Sequence, residues 1–152
     1  MKKILIAIDY TPSAEKVAET GYALAKALHA EVTIIHVITE AAYYAMDYSP
    51  IMGYKGGYTT GAVEMVADIQ KEAENFLEAS VKHLGDNTIT TRVLKGETAD
   101  AIIKYSIEWN ADLIVIGSHS YHGFDRLFGT DIASFVLKHS KIPLLAIPTK
   151  DK

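Results

Sequence analysis

The sequence predicts a doubly wound α/β protein, with a five-stranded parallel sheet and helices on both faces. Three observations carry this expectation. Four short apolar runs, "KILIAI" (3–8), "EVTIIHV" (31–37), "DLIVIG" (112–117) and "PLLAI" (143–147), read as strands buried on both faces. Between the strand candidates lie stretches whose apolar residues recur at helical spacing. The two kinds alternate along the chain, and each right-handed crossover must then return over a parallel sheet.

Taken in order, the first strand follows two lysines in "MKKILIAID". This start lacks a small-residue cleavage site and reads as a strand rather than a signal peptide. Thr11-Pro12-Ser13 is a helix-start signal, followed by Val17, Gly21, Leu24, Ala25 and Leu28 on one helical face. A second helix over 62–84 carries Val63, Val66, Ala73, Leu77 and Leu84. The remaining strand candidate, "TITTRVL" (88–94), alternates, as an edge strand or one with an exposed face would. Two shorter helices are expected over 97–109 and 130–140, the first ending on Trp109 and Asn110. Residues 40–61 break the pattern, with five of the nine tyrosines and four of the ten glycines. So long a connection is either a plain surface loop or a lid that contacts a ligand or partner.

Composition narrows the function classes. A chain of 152 residues is expected to form one domain, burying roughly 70% of its unfolded surface. Apolar residues are 49%, but no run approaches the roughly 20 residues of a membrane span. Fifteen Lys and Arg against nineteen Asp and Glu give a net charge of −4, with the cations scattered. Phosphate-backbone binding draws on clustered positive charge, so no nucleic-acid partner is expected, and no membrane. Without cysteines there is no disulfide or thiolate chemistry, which favours the cytoplasm.

Open parallel sheets bind ligands beyond the carboxyl ends of their strands, where the strand order reverses. With the order 3-2-1-4-5 that crevice lies between the first and fourth strands, at Asp9 and Gly117. The loop there, "GSHSYHGFDRLFGT" (117–130), has glycines that admit close approach of a ligand and leads into a helix N-terminus suited to an anion. Thr130 fits two roles, a phosphate contact or the cap of that helix. Asp9 likewise fits a turn cap for "DYTPS" or a polar contact to a ligand. Gly96-Glu97 is a helix start near the same crevice, and His36 a structural histidine. His119 suits a phosphate neighbour or a solvated residue, and Arg126 a phosphate partner or an exposed loop residue. With His122, His119 could reach one ion, but only Asp125 and Asp131 stand near, and no metal site is expected. Catalytic machinery is thin: Ser118 and Ser120 lack a Gly-x-Ser-x-Gly context, and no dense carboxylate set serves two-metal chemistry.

The ordered pieces "KKILIAIDYTPSAEKVAETGYALAKALHAEVTIIHV", "GETADAII" and "ADLIVIGSHS…GTDIASFVLKHSKIPLLAIP" resemble the universal stress proteins over essentially the whole chain. The resemblance implies strand order 3-2-1-4-5, a homodimer, and ATP with Mg²⁺ as ligand; the short apolar "PLLAIP" at the sheet edge makes the last strand the expected interface. With the thin catalytic machinery, the resemblance implies a nucleotide-responsive regulator without efficient catalysis. The alternatives are a member that acts through dimerisation and protein partners without nucleotide, or a slow ATPase. By the same resemblance, Asp9, with Ala7 and Ile8 beside it, matches the acid near the adenosine, and Val37 the backbone contact to adenine. Ile116, Gly117, His119, Ser120, Gly129, Thr130 and Asp131 match positions around the ribose and phosphates. Ser120 stands where the ATP-binding branch has its second glycine, and eight rather than nine residues separate it from Gly129.

Overall fold

The computed structural model describes residues 1–39, 61–118 and 131–149, and residues 61–66 only through their backbone. The elements are β1 (Lys3–Ala7), α1 (Ala14–Leu28), β2 (Glu31–Ile38), α2 (Gly61–Leu84), β3 (Thr90–Lys95), α3 (Thr98–Glu108), β4 (Leu113–Gly117), α4 (Ile132–His139) and β5 (Leu144–Ile147). Every strand pair is parallel, in the order β3-β2-β1-β4-β5. The expected fold class is the one observed. The alternating strand, β3, lies at an edge, and its Arg92 and Lys95 are exposed.

Each central strand feeds two cores, because successive side chains leave opposite faces of a sheet. On one face Ile4, Ile6, Ile34 and Val115 pack with Val17 and Ala25 of α1 and Leu77 of α2. On the other, Leu5, Ile35, Ile114 and Ile116 pack with Ile102 of α3 and Val136 of α4. Helix α1 lies close on the sheet because Gly21 carries no side chain. A Cβ there would stand 2.8 Å from the Ile6 Cδ1 and 3.2 Å from a Val115 methyl. His29 ends α1 and Asn110 follows α3 in left-handed conformations, with φ of 52° and 58°. Asparagine tolerates that region better than most side chains.

Polar contacts tie the element ends. Asp112 Oδ2 accepts the Lys2 and Lys3 backbone N–H groups at 2.6 and 2.9 Å, fixing the start of β1 to the start of β4. His83 of α2 bonds Glu19 of α1 at 2.7 Å. At the end of α2, Asp86 accepts from the Thr88 N–H and hydroxyl and from the Tyr22 hydroxyl of α1. The Thr88 bonds, then the Tyr22 bond, hold the Asp86 carboxyl down at about 2, from an ordinary 3.8.

A carboxyl lowered in the folded state stabilises above its unfolded pKa, and that contribution fades as pH falls through the folded value. The unfolding midpoint of the wild type should therefore exceed that of Asp86→Ala at pH 5, and the gap should close by about pH 2. Urea titrations of both proteins across this range test it. A gap independent of pH would show that the Asp86 charge stabilises nothing.

Candidate functional site

The carboxyl ends of β1 and β4 are neighbours in the sheet, but the chain leaves them toward opposite faces. From β1 it passes to α1, on one core, and β4 is followed by α4, on the other. The parting of the two connections opens a pocket of about 300 Å³ at the reversal of strand order. This volume is at the lower end for small-molecule sites. Much of its wall is apolar, including Ile8, Val17, Ile69, Ile102 and Ile116, with Asp9, Thr98, Asp131 and Thr149 among the polar groups.

Of the residues singled out from the sequence, Ala7, Ile8, Asp9, Val37, Ile116, Gly117 and Asp131 all line this pocket. His119, Ser120, Gly129 and Thr130 lie outside the described residues, as do His122, Asp125, Arg126 and residues 40–60. Asp9 caps its turn, as one of its two expected roles required. Its Oδ1 accepts the Thr11 N–H at 3.0 Å and also the Thr11 hydroxyl. The carboxylate nonetheless lines the pocket, so the capping role does not remove it from ligand reach.

The helix end differs from expectation. Helix α4 begins at Ile132, and its cap is Asp131 rather than Thr130. Asp131 Oδ1 accepts the Ala133 N–H at 3.2 Å and Oδ2 the Ser134 hydroxyl at 2.8 Å. A carboxylate is a stronger acceptor than a hydroxyl at this position, and its charge complements the helix dipole. One N–H expected to serve an anion is thus already occupied, and a phosphate at this end would meet a like charge. Glu97 is the N-cap residue of α3 without a side-chain cap bond, so Gly96-Glu97 is a helix start, and Thr98 beside it lines the pocket.

His36 is buried as expected, with Nδ1 2.9 Å from the Ile8 carbonyl. Burial holds its pKa below the ordinary value, against the opposing effects of the Ile8 bond and Asp9. Its place on the pocket wall was not foreseen, nor were those of Thr98 and Thr149. A position just after the third strand was a usable signal for Thr98. For Thr149 there was none, since its contact with Gly117 spans 32 positions in sequence.

That contact explains a glycine. A Cβ on Gly117 would stand 2.9 Å from the Thr149 Cγ2 and 3.3 Å from a Val17 methyl. Gly117→Ala should therefore cost on the order of 1–3 kcal/mol by overpacking. Thr149→Ser removes the obstructing methyl and keeps the hydroxyl, so the double variant should recover most of the loss. A denaturation cycle on the four proteins measures this, and strictly additive effects would rule out the steric account.

Comparison with known proteins places this geometry in a family. Residues 1–148 match the model of the universal stress protein family. Universal stress protein MJ0531 of Methanocaldococcus jannaschii is 28% identical over 154 residues, spanning 99% of this chain and 84% of its own. Among solved structures, protein MJ0577 of the same organism superposes with a TM-score of 0.75 at 24% identity, over 99% of this chain and 98% of its own. A universal stress protein from Archaeoglobus fulgidus, in complex with dAMP, gives a TM-score of 0.61 at 21% identity, over 97% and 98%.

Proposed function

The chain belongs to the universal stress protein family, and on that premise we propose that it binds ATP in the crevice beyond β1 and β4. One observation carries the proposal: every described residue that the sequence marked for a nucleotide lines one pocket at the reversal of strand order. Apolar walls from both cores suit a base, and Asp9 offers an acceptor to a ribose hydroxyl. Asp131, at the pocket wall, is where the phosphates would come. Its carboxylate suits a Mg²⁺ ion carried by them, since Mg²⁺ is commonly held by one or two carboxylates together with substrate phosphates. That a family structure holds dAMP supports an adenine nucleotide as the ligand class. The proposed role is a nucleotide-responsive regulator rather than an efficient enzyme. The proposed setting is the cytoplasm, and no helix among the described residues is long and apolar enough to cross a membrane.

The decisive experiment identifies by mass any nucleotide that co-purifies with the protein, then measures ATP and Mg²⁺ binding by calorimetry. If Gly129 stands beside the phosphates, as the family resemblance implies, Gly129→Val should interfere at a cost on the order of 1–3 kcal/mol. Binding should weaken roughly 5- to 150-fold, at 1.4 kcal/mol per tenfold. Wild type that binds no ATP at millimolar concentration would sink the proposal. The reading without nucleotide, which the Asp131 cap favours, would then replace it.

The proposed assembly is a homodimer through β5. This strand ends the sheet, and its Leu144 and Leu145 are half-buried and its Ala146 exposed in the single chain. An edge of that kind invites pairing with another chain. Sedimentation should find a dimer for the wild type and a monomer or insoluble protein for Leu145→Pro. A soluble dimer of that variant would exclude the interface.

A further inference from the structure

We infer that His36 is a positioning residue of this pocket, holding the end of β1, and with it Asp9, at the crevice. The inference rests on the nucleotide reading only for what the pocket binds. The backbone hold on β1 reaches its limit at Ile8, whose N–H donates to the Ile35 carbonyl at 3.0 Å. The Ile8 carbonyl then lies 2.9 Å from the His36 Nδ1. Two residues on, the Tyr10 ring lies against the same imidazole, with centroids 4.3 Å apart and planes tilted by 49°. Asp9 is therefore bracketed: the residue before it is bonded to His36 and the residue after it packs on His36.

The hold is anchored from α2, on the core that α1 and α2 close. Phe76 of α2 meets the His36 ring edge-on at 5.7 Å and the Tyr10 ring at 4.8 Å, closing a three-ring cluster over the β1 end. The imidazole is buried, so it cannot easily turn away. Chemistry also fixes its tautomer. A carbonyl oxygen only accepts, so Nδ1 must carry the proton, and in the neutral ring Nε2 becomes an acceptor. Free histidine favours the other tautomer, which makes this state a measurable signature of the contact.

Two substitutions separate the donor from the ring. His36→Asn places an amide N–H where Nδ1 stands and removes the ring, whereas His36→Phe keeps a ring and leaves the Ile8 carbonyl without its donor. An unmade bond to a buried acceptor costs more than a lost ring contact. In the ligand-free full chain, His36→Phe should speed exchange of the Thr11 amide, which is bonded to Asp9, about tenfold or more, and His36→Asn less than about threefold. ATP affinity should fall in the same order. Nitrogen-15 correlation spectra of the wild type should show the Nδ1–H tautomer at His36. An Nε2–H tautomer, unchanged Thr11 exchange in His36→Phe, or equal losses in both variants would each overturn the inference. Should His36→Phe not fold, the tautomer and the His36→Asn exchange rate decide. If wild type binds no ATP, the nucleotide reading falls, and the tautomer and exchange results still judge the role of His36.

Discussion

The parallel pairing of β1 with β4, in register from Ile4 with Leu113 to Ala7 with Ile116, is the constraint on which the rest of the structure depends. These strands are buried on both faces, so their alternate side chains must fill two separate cores. Helices α1 and α2 close one core, and α3 and α4 the other. A right-handed crossover from β1 leads outward to β2, and later ones return the chain to β4 and outward again to β5. The pocket follows from this division: it opens where the chain leaves the two central strands toward opposite faces.

The pocket is built from residues that also serve the fold. Asp9 bonds Thr11 in the turn into α1 and still faces the crevice. Asp131 caps α4 and lines the same wall. Gly117 admits the Thr149 methyl against β4, joining the segment after β5 to the pocket floor. Capping therefore does not take these residues out of the pocket wall. Asp9 accepts from its turn through Oδ1 alone, whereas both Asp131 oxygens are engaged, by the Ala133 N–H and the Ser134 hydroxyl, each keeping a second lone pair. At the start of α4, Asp131 takes a helix N–H for itself.

The strands and helices were legible in the sequence to within a residue or two, because their signals are local. A run such as "LIVI" can satisfy its hydrophobicity only between two layers, and the spacing of Val17, Gly21 and Ala25 defines one helical face. The exposed Arg92 and Lys95 equally mark β3 as an edge. The start of α4, capped by Asp131, was less legible. Thr130 and Asp131 are both good caps, and only the path of the backbone selects between them.

What the sequence by itself determined is therefore the fold class, the strand order through its family resemblance, and the end of the sheet at which the pocket opens. Tertiary structure alone decided that Thr98, Thr149 and His36 share the pocket wall with Asp9. It also decided that Gly117 must be a glycine for want of space and that the Ile8 carbonyl takes the imidazole of β2. The physical reason is range. Apolar periodicity and turn chemistry act over a few neighbouring residues, whereas the pocket joins the ends of separate strands that meet only when both cores close.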